Sequence, residues 1–275
     1  MKLPADLQLA LDHVAATPSD ADTARRAVGM LDLTNLNDGD TDVVVEALCA
    51  RAHTPVGPVA AVCVWPRFVA TARRALGDSP VRIATVVNFP TGEGDAAGVA
   101  AETRAAIADG AHEIDVVLPY RAYIDGARSK PIALLKACRE ACGDSALMKV
   151  ILESGQFPDA DLLGWASRDA IAAGADFLKT STGKTQPAAT LDAAAVMLGA
   201  IHESGKPVGF KAAGGIRDAA GAAVFLALAD HLLGDGWATP QSFRFGASSL
   251  LDALLAAATA GAGAGETPAA PSSGY

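Results

Sequence analysis

The chain has 275 residues, of which 51% are hydrophobic and 19% charged, which is enough apolar side chain for a large single core and excludes a disordered protein. Its 22 Lys and Arg against 31 Asp and Glu give a formal net charge of −9. That balance excludes a broad basic footprint for nucleic acid or for an anionic membrane surface.

No apolar run is long enough to span a bilayer. The opening MKLPADLQLALD lacks the basic and apolar regions of a signal peptide. Cys49, Cys63, Cys138 and Cys142 make neither a CxxC pair nor a small disulfide scaffold, and the scattered histidines make no HxH or HExxH. These features predict a reduced, soluble, cytoplasmic protein with no metal site.

Residues 1–29 predict one or two helices, an N-terminal extension expected to cover one end of the domain that follows. From residue 30 short β-branched apolar runs alternate with alanine-rich stretches of helical spacing. Met30–Thr34 leads to Thr41–Arg51, Val59–Trp65 to Arg67–Leu76, and Val81–Asn88 to Ala96–Asp109. Glu113–Pro119 leads to Pro131–Cys142, and Leu147–Glu153 to Ala160–Ala173. Asp176–Thr180 leads to Thr190–Glu203, Pro207–Lys211 to Asp218–Leu233, and Phe243–Ala247 to Ser249–Ala258. Alternation of this kind implies parallel strands joined by right-handed crossovers. Eight such units over residues 30–260 predict a (β/α)8 barrel, and no GxGxxG follows the first strand to favour an open sheet. Residues 261–275, GAGAGETPAAPSSGY, predict a flexible C-terminal tail.

Strands of a parallel barrel are covered on both faces, so a charge within one needs a reason. Lys149 in LMKVILE, Lys179 in ADFLKTSTGK and Lys211 in PVGFKAAGG fall on three successive strands. Asp115 in HEIDVVLP and Asp32 in MLDLT join them. One such lysine is as readily a buried ion pair as a functional group. Lys179 and Lys211 stand at the C-terminal ends of neighbouring runs, where barrel active sites are built. Two ammonium groups facing each other in a low dielectric repel, and the release of one proton leaves a neutral amine. Such an amine attacks carbonyls, and a carboxylate such as Asp115 can move a proton at the carbon that becomes an enamine. The set predicts imine chemistry that needs no cofactor.

Three loops at the same end carry glycine beside donors: Thr180-Ser181-Thr182-Gly183-Lys184, Ala213-Gly214-Gly215-Ile216-Arg217 and Phe245-Gly246-Ala247-Ser248-Ser249. The last runs straight into the helix LLDALLAA, whose free N–H groups favour an anion. Together they predict a phosphate site, with Arg217 and Lys184, which also read as ordinary surface charges, ranked below the glycines and serines.

The chain resembles the deoxyribose-phosphate aldolase family of class I aldolases. The segments that carry the likeness are LDLTNLNDGDT, AAVCVWPRFV, RIATVVNFPTG, EIDVVLPYRA, KVILESG, GADFLKTSTGK, VGFKAAGGIR and RFGASSLL, in family order from Leu31 to Leu251. The resemblance implies that Lys179 forms the Schiff base, that Lys211 lowers its pKa and that Asp115 relays protons. It implies that Asp32 and Lys149 belong to the same network and that Thr34 lines the pocket. Gly183, Lys184, Gly214, Gly215, Gly246, Ser248 and Ser249 fall where the family binds substrate phosphate. Cys63 matches a pocket cysteine, although the residue itself reads first as a buried thiol acting as a small apolar side chain; Tyr275 matches a tail tyrosine that can reach the site. Ala212 replaces the proline of the common FKPAGG, a change that removes no functional group.

The implied reaction is reversible cleavage of 2-deoxy-D-ribose 5-phosphate to glyceraldehyde 3-phosphate and acetaldehyde, in deoxyribonucleotide catabolism. Its substrates are a small sugar phosphate and aldehydes, with no metal, nucleic acid or membrane partner, and a homodimer is expected. Other readings of the barrel are another Schiff-base aldolase, a cofactor-free isomerase of sugar phosphates, or a non-catalytic phosphosugar-binding barrel. The paired strand lysines speak against a simple isomerase, which needs a carboxylate or histidine pair.

Overall fold

A computed structural model describes residues 1–260. Eight parallel strands close into one barrel: β1 (Leu31–Thr34), β2 (Ala61–Val64), β3 (Arg82–Val87), β4 (Glu113–Val117), β5 (Leu147–Ile151), β6 (Phe177–Lys179), β7 (Gly209–Ala213) and β8 (Phe243–Ala247). Closure is made by β1, which pairs with both β2 and β8: Asp32 stands opposite Ala61 on one side and Gly246 on the other. This is the (β/α)8 architecture that the eightfold alternation predicts.

The helices are α1 (Ala5–Val14), α2 (Ala21–Gly29), α3 (Asp42–Arg51), α4 (Val69–Leu76), α5 (Ala96–Ala108), α6 (Tyr120–Ile124), α7 (Ser129–Cys142), α8 (Ala160–Ala172), α9 (Leu191–Ser204), α10 (Ala219–Leu233) and α11 (Leu250–Ala260). Many start behind a capping side chain. Asp20, Thr41, Asp95, Asp159, Thr190 and Asp218 each accept from the backbone N–H three residues on, satisfying a donor that the helix itself leaves free. All but Asp20, which joins α1 to α2, end loops after strands, and so hold the loops that form the upper rim.

Two features depart from the sequence-based reading. A short antiparallel hairpin, His53–Thr54 against Gly57–Pro58, precedes β2, and the one-turn helix α6 follows β4; both are too short to leave a periodic signal. The N-terminal extension also lies elsewhere than expected. Its helix α1 packs on α9 and α10, and α2 packs on α10 and α11, so it flanks the barrel and does not cap an end.

The predicted runs to Asn88 and Glu153 end early for a local reason. Asn88 and Glu153 both adopt left-handed backbone, at φ 56 and φ 55, and leave the sheet there. No helix among the described residues is long and apolar enough to cross a membrane. Residues 261–275, and with them Tyr275, lie outside the described residues.

Candidate active site

Side chains alternate across a strand, so every second residue faces the barrel axis. On that axis most (β/α)8 barrels stack branched apolar residues. Here the stack is ionic. Asp32 from β1, Glu113 and Asp115 from β4, Lys149 from β5, Lys179 from β6, Lys211 from β7 and Arg244 from β8 are all buried. Small residues make the room. Ala61, Cys63, Ala84 and Val86 line the β2–β3 side, and Gly246 stands where a Cβ would lie 2.9 Å from Cε of Lys211.

The contacts form one network. Lys149 donates to Asp115 at 2.8 Å and pairs with Glu113 at 2.6 Å, with Asp32 at 3.6 Å. Lys211 donates to Asp32 at 2.5 Å and to Asp115 at 2.8 Å. Arg244 spans Asp32 at 2.7 Å and Glu113 at 3.0 Å. Lys179 has one carboxylate partner, Asp115, at 2.7 Å. Arg82, with its side chain 43% exposed, closes the lower end on Glu113 at 2.7 Å.

Three buried carboxylates thus face four buried cations. Release of one proton balances the set, and the partners decide which cation gives it up. Lys149 and Lys211 each touch two or more carboxylates, and these outweigh burial and hold both ammonium groups above the ordinary lysine value. For Lys179, burial dominates, and the charge of Lys211 adds to it against the pull of Asp115; the result is a lowered pKa. The carboxylates answer in the opposite sense. Burial would raise Asp32, Glu113 and Asp115, but the surrounding lysines and Arg244 hold all three below the usual carboxylate range.

Lys179 is also the lysine that meets solvent. Its side chain is 4% exposed, whereas those of Lys149 and Lys211 are at 0%. It forms the floor of a cleft of about 440 Å³ at the C-terminal ends of the strands. The walls hold Thr34, Gly183, Lys184, Gly214, Gly215, Gly246, Ser248 and Ser249, so the residues expected at a phosphate site come together over Lys179. Arg217 lines the cleft as well. The backbone at Gly214 and Gly215 requires glycine, at φ 85 and φ 89. Lys184 reaches across to donate to the carbonyl of Leu36 at 2.8 Å, tying the loop after β6 to the loop after β1.

Two details differ from expectation, and Cys63 follows the buried-thiol reading of it. Lys211 stands in the middle of β7 and not at its end, because the strand runs on to Ala213; it is nonetheless in register with Lys179. Cys63 does not line the cleft. It is fully buried among Leu36, Ala61, Ala84 and Val86, and burial pushes its thiol pKa up, so it acts as a small apolar residue. Glu113 and Arg244 belong to the network, and Asn35, Asn37 and Gln186 to the cleft, and none of the five is evident from sequence. Their only signal is the even spacing from Asp115 to Glu113 and from Gly246 to Arg244, which puts each pair on one strand face.

A larger hollow of about 680 Å³ opens at the opposite end of the barrel. The charged side chains on its wall are already paired: Arg82 with Glu113, Asp176 with Arg139, and Arg244 with Asp32 and Glu113. The amine of Lys179 opens to the smaller cleft. Among the described residues, no group of three or more His, Cys, Asp or Glu is placed to hold a metal ion.

Comparison with known proteins agrees with this fold. Residues 9–256 match the model of the DeoC/LacD family aldolases. A Toxoplasma gondii protein provisionally named deoxyribose-phosphate aldolase is 26% identical, with a TM-score of 0.81 over 87% of this chain and 95% of that one. A Coccidioides immitis protein under the same provisional name is 26% identical, with a TM-score of 0.74 over 90% and 96%. A tetrameric deoxyribose phosphate aldolase of Aeropyrum pernix, 23% identical, shares the fold at a TM-score of 0.67 over 92% and 98%. The family match runs from α1 through every barrel strand into α11, and the chain belongs to the DeoC/LacD family of aldolases.

Proposed function

We propose that the protein is a class I aldolase that cleaves 2-deoxy-D-ribose 5-phosphate reversibly to D-glyceraldehyde 3-phosphate and acetaldehyde, with Lys179 as the Schiff-base lysine. The observation that carries this reading is the asymmetry of the lysines: Lys179 alone of the three has one carboxylate partner, a lowered pKa and a path to the cleft. The names of the Toxoplasma and Coccidioides relatives supply the sugar.

In the cleavage direction neutral Lys179 Nζ attacks C1 of the open-chain aldehyde, and loss of water leaves an iminium. Removal of the C3 hydroxyl proton breaks the C2–C3 bond, and the bonding pair flows through C2 toward the iminium nitrogen. Glyceraldehyde 3-phosphate leaves, and the two-carbon enamine stays on Lys179. Asp115 and Lys211 relay a proton through water to C2 of the enamine, and hydrolysis frees acetaldehyde and the lysine. Asp32 and Lys149 hold the relay pair in place, and Thr34 lines the aldehyde end. The phosphate rests against Gly183, Lys184, Gly214, Gly215, Gly246, Ser248 and Ser249, which positions the chain for reaction.

The described cysteines are free and buried, in keeping with a cytoplasmic enzyme. A homodimer is part of the same proposal, and light scattering reads it. Borohydride trapping tests the chemistry. With acetaldehyde and borohydride, a single ethyl adduct should map to Lys179 by mass spectrometry. An adduct on Lys211 would exchange the lysine roles, and a folded protein with no adduct would remove the aldolase reading.

A further inference from the structure

Glu153 follows β5 as the chain turns away from the barrel, in the left-handed region that side chains other than glycine rarely adopt. Backbone bonds from both its neighbours fix the turn. Leu152 N–H donates to the carbonyl of Lys179 at 2.9 Å, and Ser154 N–H to that of Thr180 at 2.8 Å. The carboxylate is fully buried, and its hydrogen bonds come from one residue, Thr182. The Thr182 hydroxyl donates to Oε2 at 2.5 Å, and the Thr182 N–H to Oε1 at 3.2 Å. The same hydroxyl then accepts from the N–H of Lys184 at 3.0 Å. The two loops are in close contact beyond this point: a Cβ on Gly155 would stand 1.9 Å from the carbonyl oxygen of Pro187.

A carboxylate is a poor direct neighbour for a phosphate, and Glu153 does not line the cleft; Thr182, Gly183 and Lys184 do. We propose that Glu153 is a positioning residue for the phosphate end of the substrate, acting through Thr182 to hold the 182–184 loop in its binding shape. The proposal rests on the sugar-phosphate reading above. Both carboxylate oxygens serve as acceptors, so an amide in their place presents an NH2 group to a donor and loses one of the bonds.

The test compares cleavage of 2-deoxyribose 5-phosphate with cleavage of unphosphorylated 2-deoxyribose. Glu153→Gln should raise KM for the phosphorylated sugar about tenfold, as loss of a hydrogen bond to a charged group does. Its kcat should stay within about twofold, and so should kcat/KM for 2-deoxyribose. Thr182→Val removes the other end of the bond and should show the same split, and the double variant should be no worse than the worse single one. Acetaldehyde trapping on Lys179 at the wild-type level shows that the barrel is intact. An equal loss on both sugars, or an unchanged KM, would overturn the role of Glu153. If Glu153→Gln does not fold, Thr182→Val decides alone by the same criterion. The wild-type arm keeps the two readings apart. A wild-type enzyme that cleaves neither sugar, or does not prefer the phosphorylated one, removes the parent reading and this one with it. A normal wild type with unaffected variants removes only this one.

Discussion

Lys179 and Lys211 bond the same oxygen: Oδ2 of Asp115 accepts from the two Nζ atoms at 2.7 and 2.8 Å. The register of β6 against β7 sets their Cα atoms opposite each other, so the shared contact is built into the sheet. Lys211 has a second carboxylate in Asp32 and Lys179 has none, which makes Lys179 the amine that can be neutral.

The first consequence concerns pH. In Lys211→Leu the repulsion is gone, and Lys179 no longer shares Oδ2 of Asp115 with a second ammonium group. Its pKa then rises, and the rising limb of the kcat/KM profile moves to higher pH by about 1 to 3 units. A rate loss with the limb unmoved would confine Lys211 to proton relay.

Lys179 itself should trade stability for chemistry. A lysine with a lowered folded-state pKa binds its proton less tightly folded than unfolded, so below the ordinary lysine value it costs the fold free energy. Lys179→Leu should abolish turnover and acetaldehyde trapping, yet raise Tm by roughly 2 to 4 °C for about 1 kcal/mol regained. Appreciable turnover in this variant would refute its role as nucleophile, and a lowered Tm would refute the stability argument.

The strands and the lysines were legible in the sequence for one reason: a lysine inside a β-branched apolar run has no ordinary place in a covered parallel sheet. Glu113 and Arg244 escaped that test. Each stands at the beginning of its run, in HEIDVV and SFRFG, where a charge reads as the border of a loop. Their even spacing from Asp115 and Gly246 is a faint signal until the register sets Arg244 opposite Lys211 across β7 and β8. Glu153 escaped for a different reason. As the last residue of KVILE it continues the strand pattern, and its left-handed backbone is fixed by contacts with a loop some thirty residues on, to Thr180 and Thr182. The position of the N-terminal helices was not legible either, since an amphipathic face records that it is covered and not what covers it.

The lower carboxylate predicts an acid-sensitive term. Glu113, Asp32 and Asp115 all have depressed pKa values in the folded state. Their contribution is fully present above the unfolded carboxylate value, about 4, and is lost as pH falls below it. Glu113→Gln leaves Lys149 and Arg244 short of a partner and should cost about 3 to 5 kcal/mol at pH 7. Denaturation below about pH 4 should show that gap narrowing, because the unfolded wild type then takes up a proton at Glu113 that the folded state resists, and the wild type alone loses stability by it. A gap independent of pH would mean that the loss is one of packing.

Gly246 separates two explanations of one glycine. Its place in the cleft wall fits close approach of a phosphate, but a Cβ there would meet Cε of Lys211 at 2.9 Å and Cβ of Ala213 at 3.0 Å. Ala213 is fixed in β7, so the lysine side chain must give way. Gly246→Ala should therefore push the Lys211 amine off Asp32 and Asp115. The pH limb should move upward as in Lys211→Leu, by less than about 1 unit, with kcat falling at neutral pH. If the glycine serves phosphate approach alone, the same variant raises KM for the phosphorylated sugar and leaves the limb where it is. Measuring kcat and KM across the pH range distinguishes the two, because displacement of the Lys211 amine moves the limb and obstruction of the cleft wall moves KM.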